Sequence, residues 1–150
     1  MANNILLVTH AQFAKGILSS LELVMGDVCP AAYVSVTTSE TIPAIAKRIE
    51  DALASFDQSQ PTVVITDIPG GSTTQAALRV RANHPDVVFA TGLNMGLLLE
   101  TSLLPLTAGD TEGNEALVRQ AVNTSKEGIG LLADLVPSND EAVDSESDEL

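Results

Sequence analysis

Apolar residues along this chain alternate between two spacings. Short runs of aliphatic and β-branched residues, of strand length, are separated by longer stretches where apolar positions return every three or four residues, as one face of a helix requires. The first run predicts a strand over Ile5–Thr9. A helix follows from about Gln12 to Met25, with Phe13, Ile17, Leu18, Leu21 and Val24 on its stripe and Gly26 as its terminator. The second strand spans Tyr33–Val36. Ser39 then caps a helix from about Ile42 to Phe56, with stripe Ile42, Ile45, Ile49, Leu53 and Phe56 and with Pro43 tolerated in its first turn. Thr62–Thr66 is a third strand, continuous enough to be buried on both faces. Beyond the turn Asp67–Gly71, Ser72 caps a helix of about Thr73–Asn83. Val87–Ala90 is the fourth strand, followed by a helix from Asn94 to about Leu104 that Pro105 stops. Leu106–Gly113 reads as a loop, and Asn114 to about Glu127 as a helix ended by Gly128. Ile129–Val136 is set apart from that helix by two glycines, and its length suits a short strand.

Strand and helix in alternation are the signature of a mainly parallel sheet covered by helices on both faces. The expected fold is therefore α/β and doubly wound, with strand order 2-1-3-4, formed by a single domain over residues 1–136. Hydrophobic residues make up 45% of the chain, with no tryptophan and four other aromatics, so the core has to be built from Leu, Ile, Val and Ala. The net charge of −13 argues against nucleic acid, whose phosphates need basic patches. Residues 138–150 carry six of the twenty acids and no base, and 137–150 reads as a solvated, disordered tail. The lone Cys29 rules out an internal disulfide and fits a reducing compartment; with no base beside it in sequence, it reads as structural. No apolar run approaches the ~18 residues that span a bilayer, and the N-terminus lacks a basic leader. The expected location is the cytoplasm.

In an open α/β sheet the working groups stand at the carboxyl ends of the strands, where the strand order reverses. His10 ends the first strand and Asp67 the third, and order 2-1-3-4 makes those strands neighbours, about 4.8 Å apart. A carboxylate on one imidazole nitrogen fixes the tautomer and leaves the other nitrogen as a nucleophile. Gly70-Gly71-Ser72 leads directly into a helix N-terminus. Glycines let backbone N–H groups approach an anion, the serine hydroxyl adds a donor, and the helix dipole favours negative charge. A phosphoryl group on His10 would find a site there. Other chemistries fit worse: the chain has no Gly-x-Gly-x-x-Gly, no P-loop lysine, no Gly-x-Ser-x-Gly elbow and no metal-ligand spacing. Neither cofactor nor metal is expected. His84, ahead of the fourth strand, belongs to the opposite end of the sheet and reads as a surface loop residue.

These residues resemble the enzyme IIA component of the mannose family of the bacterial phosphoenolpyruvate-dependent sugar phosphotransferase system, over Met1 to about Val136. Val8-Thr9-His10, Thr66-Asp67-Ile68-Pro69-Gly70-Gly71-Ser72 and Thr91-Gly92-Leu93-Asn94-Met95…Leu98-Leu99-Glu100-Thr101 carry the resemblance. It implies that His10 is phosphorylated, that Asp67 orients it, and that Gly70, Gly71 and Ser72, with Thr9, line the phosphate. It implies a phosphoryl group arriving from the phosphocarrier HPr and leaving to a separate enzyme IIB component, for sugar uptake through a membrane permease. It also implies a homodimer that exchanges an antiparallel edge strand, which would account for Gly128–Val136. Two positions depart from the family: Ala11 where glycine is usual, and Thr73 where proline commonly follows the serine. Neither removes a functional group, and both bear on turn geometry and partner choice. Two other readings stay open: a phosphotransfer subunit of a dihydroxyacetone kinase, and a non-catalytic regulatory module that binds a small anion in the same crevice.

Overall fold

The computed structural model describes residues 2–136, so the acidic tail expected at 137–150 lies outside the described residues. Four strands, β1 (Asn4–His10), β2 (Ala31–Val36), β3 (Thr62–Thr66) and β4 (Val88–Thr91), form a parallel sheet in the order 2-1-3-4. The helices are α1 (Phe13–Met25), α2 (Ile42–Ala54), α3 (Gly71–Arg81), α4 (Met95–Leu103), α5 (Thr111–Glu127) and the single turn α6 (Leu132–Leu135).

The sheet is apolar on both faces because each inner strand sends alternate residues to opposite layers. Ile5 and Leu7 of β1, with Val63 and Ile65 of β3, pack against Ala14, Ile17 and Leu21 of α1, Leu97 and Leu98 of α4, and Val118 and Ala121 of α5. Leu6 and Val8, with Val64 of β3 and Val34 and Val36 of β2, pack against Ile45, Ile49 and Leu53 of α2 and Ala76, Ala77 and Val80 of α3. Thus α1 and α3, the helices that follow β1 and β3, cover opposite faces of the sheet. The parallel register places Val8 opposite Thr66, which brings the residues just past both strands to one place.

Several local expectations are corrected. The buried stripe of α1 is Ala14, Ile17 and Leu21; Phe13 and Val24 lie about a quarter turn off it, at ~100° per residue, and are 43% and 62% exposed. Helix α2 is capped by Thr41, whose hydroxyl accepts from the Ala44 N–H, and not by Ser39. Ser72 caps nothing, because α3 starts one residue before it with Gly70 in the cap position. Helix α5 begins at Thr111, capped by Asp110 accepting from the Gly113 N–H. Asn114, expected at its start, is buried inside its first turns and exchanges two 2.9 Å hydrogen bonds with the Thr107 backbone. Residues 129–136 form no strand and carry only the turn α6, with Ile129, Leu131, Leu132 and Val136 exposed. His84 is half-buried and holds Glu50 of α2, Nε2 to Oε2, at 2.7 Å, so it ties two elements together rather than lying free on a loop.

Candidate active site

The site lies on the two strand ends that the topology makes adjacent. His10 closes β1 and is half exposed, whereas the Asp67 side chain, just past β3, is 9% exposed. Asp67 Oδ2 accepts two hydrogen bonds of 2.8 Å, one from the His10 backbone N–H and one from His10 Nδ1. Its other oxygen accepts from the Ile68 N–H at 3.0 Å and from the Thr73 hydroxyl at 2.9 Å. Burial by itself raises this carboxyl; the His10 N–H, the His10 ring and the Thr73 hydroxyl outweigh it and hold Asp67 below its ordinary value. An ionised carboxylate only accepts, so Nδ1 carries a proton, and in the neutral ring Nε2 keeps its lone pair.

The loop after β3 brings the start of α3 against that second nitrogen. Gly71 has φ +85°, a conformation glycine adopts without strain, and a Cβ placed on it would stand 3.8 Å from His10 Cε1 and 3.9 Å from Nε2. No side chain caps α3, so the N–H groups of its first turn, which have no helical partner, face no competing acceptor. Ser72, second in the helix, is half-buried. Thr74 steadies the turn from behind, its hydroxyl 2.6 Å from the Ile68 carbonyl oxygen and 2.8 Å from the Thr66 hydroxyl.

Thr9, expected beside the phosphate, is elsewhere. It is fully buried, and its hydroxyl accepts from the Ala14 N–H at 2.9 Å, so it secures the start of α1 and is closed to any ligand. Ala11 follows His10 at φ +50°, in the left-handed region, with its N–H donating to the Val36 carbonyl at 3.0 Å. The turn geometry that glycine would adopt freely is kept here by an alanine under strain.

Sequence reading brought together His10, Asp67 and Gly70-Gly71-Ser72. It missed what the hydroxyl of Thr73 does. A threonine in the first turn of a helix is compatible with many roles, and only the fold places its hydroxyl on a carboxylate six residues back.

Comparisons with known proteins bear on this geometry. The family model described as "PTS system fructose IIA component" matches residues 4–110. The chain belongs to that family. It is a mannose-family IIA component of the sugar phosphotransferase system. Over 128 residues, 85% of this chain, it is 25% identical to the mannose-specific EIIAB component of Escherichia coli K12. It spans 39% of the length of that protein. In fold the IIA component is similar to the phosphotransferase system component EIIA of Streptococcus agalactiae, with TM-score 0.73 and 24% identity over 88% of this chain and 98% of that one. It is similar also to the mannose/sorbose-specific IIA subunit of Enterococcus faecalis, with TM-score 0.75 and 21% identity over 92% of this chain and 98% of the other. No helix among the described residues is long and apolar enough to cross a membrane.

Proposed function

We propose that this IIA component is a phosphohistidine relay in the cytoplasm, taking a phosphoryl group from HPr on His10 and passing it to an enzyme IIB component for sugar uptake. The observation that carries this reading is the Asp67–His10 pair: with Nδ1 engaged at 2.8 Å, Nε2 is the unprotonated nitrogen of the neutral ring, and it lies beside Gly71 at the uncapped start of α3. In the forward step the Nε2 lone pair attacks phosphorus. The new N–P bond forms as the N–P bond in the donor breaks, and the donor imidazole leaves with the electron pair. Transfer to the acceptor reverses the roles. Little covalent work falls to the protein, so its share is positioning and charge stabilisation. Asp67 holds the ring and opposes the positive charge it gains on phosphorylation. Gly70, Gly71 and Ser72 present backbone N–H groups, the positive end of a helix and a hydroxyl to the phosphoryl oxygens.

The exposed side chains around His10 suit a protein partner. Phe13, the first residue of α1, and Ile68, on the loop that follows β3, are both large, apolar and exposed. Incubation with phosphoenolpyruvate, enzyme I and HPr tests the relay. Mass spectrometry should show a gain of one acid-labile phosphoryl group, absent from His10→Ala protein. Labelling of His10→Ala would end this reading, and a bound anion without covalent phosphate would favour a regulatory module. Transfer onward to dihydroxyacetone kinase subunits, and not to IIB proteins, would move the relay to that pathway.

A homodimer belongs to the same proposal. β4 is an outer strand of the sheet, flanked by a groove of about 330 Å³ whose lining mixes Phe89, Val118 and Val122 with Arg81, Glu115 and Arg119, and another of about 240 Å³ lined by Thr66, Ala77 and Leu78. The apolar residues of 129–136 lie exposed, and a second copy offers them this edge as an added antiparallel strand.

A further inference from the structure

Of the four donors that hold Asp67, three come from His10 itself or from the next residue in the chain. The fourth is the hydroxyl of Thr73, and it comes from α3. Thr73 is fully buried, so its hydroxyl has exchanged water for a single acceptor, Asp67 Oδ1 at 2.9 Å. A buried hydroxyl that loses such a partner costs the protein its desolvation, which makes this contact a specific one. The same helix carries Gly71 against the Nε2 side of the ring. Thr73 therefore fixes the group that holds Nδ1 to the element that faces Nε2.

The turn itself does not depend on this bond. Thr74 holds it separately through the Ile68 carbonyl and Thr66. Removing the Thr73 hydroxyl leaves Oδ1 with one donor, and the carboxylate regains freedom to rotate about its Cβ–Cγ bond. Oδ2 then no longer serves both His10 donors at once.

We propose that Thr73 is a positioning residue for His10, acting through Asp67: its hydroxyl locks the carboxylate in the orientation that keeps the proton on Nδ1 and the lone pair on Nε2. This rests on the phosphohistidine reading for its kinetic consequence, but the tautomer can be read without it.

The experiment compares wild-type chain with Thr73→Val, which keeps the shape and removes the hydroxyl, and with Thr73→Ser, which restores it. Phosphoryl uptake from phosphorylated HPr and nitrogen NMR of the unphosphorylated His10 ring are measured on each. In Thr73→Val the maximal rate should fall about tenfold with KM for HPr unchanged, the range typical when a histidine loses its orienting network. His10 should pass from one tautomer to a mixture, and Thr73→Ser should recover both properties. If Thr73→Val does not fold, Thr73→Ala removes the same hydroxyl with less volume and carries the comparison. A wild-type tautomer in the hydroxyl-free variant overturns the proposal, whether or not the rate changes, and so does a Ser variant as impaired as the Val one. If wild-type protein takes no phosphoryl group, the relay reading fails and the NMR comparison still decides the role of Thr73.

Discussion

At the scale of single residues, the chemistry depends on one oxygen atom. Asp67 Oδ2 accepts from both the backbone and the ring of His10, which fixes the angle of the imidazole as well as its tautomer. Asp67→Asn places one amide atom where two donors converge, so both meet either an N–H group or a weaker, neutral acceptor. Phosphorylation of His10 should slow by about 10²-fold, at the low end of what a positioned acid–base group contributes, as measured by uptake from phosphorylated HPr. The same carboxylate sets an acid limb. Its folded pKa lies below the ordinary 3.8, so its contribution to stability is complete above the unfolded value and is lost as pH falls through the lower folded one. Denaturation in urea between about pH 5 and pH 2 should show a shallower loss of stability for Asp67→Asn than for wild type. Ala11 supplies an independent test of strain. With φ at +50°, Ala11→Gly should stabilise the fold by about 1 kcal/mol, read as a shift in the urea midpoint.

At the scale of elements, the caps show how far local pattern reaches. Ser39 and Thr41 are both cap-type residues two positions apart, and only Thr41 accepts a helix N–H, from Ala44. Thr41→Ala should cost about 1 kcal/mol in thermal or chemical denaturation, and Ser39→Ala should leave stability within about 0.5 kcal/mol of wild type. Helix α1 carries a similar ambiguity. Phe13, Ile17, Leu18, Leu21 and Val24 make a plausible stripe, yet the sheet takes Ala14, Ile17 and Leu21, because a small residue lets the helix come close to the strands. The strands themselves were legible. Continuous apolar runs such as Thr62–Thr66 announce burial on both faces, and the register of β1 with β3 confirms it residue by residue.

At the scale of the whole molecule, strand order assembles the candidate site. His10 and Asp67 are 57 residues apart and meet only because β1 and β3 are neighbours. The uncovered edge of β4 and the apolar residues of 129–136 carry the prediction of association. Leu132→Asp should shift the protein toward monomer in sedimentation or light scattering, with little effect on phosphorylation of His10 if the site is complete within one chain. An unchanged monomeric mass for wild-type protein would remove the homodimer from the proposal.

The sequence by itself determined the alternation of strand and helix, the two-sided burial of the inner strands, and the candidates His10, Asp67 and Gly70-Gly71-Ser72. Each of these follows from local periodicity, or from residue types that only a few backbone settings accommodate. Tertiary structure alone decided which hydroxyls serve the site. Thr9 and Thr73 are both threonines beside candidate site residues; one closes the start of α1, and the other reaches the carboxylate. It also decided that 129–136 carries a helical turn rather than a strand in the single chain, since a strand there needs a partner edge. The physical reason is common to these cases. A hydrogen bond between distant residues depends on where two elements dock, to within tenths of an ångström, and one-dimensional pattern holds no record of that distance.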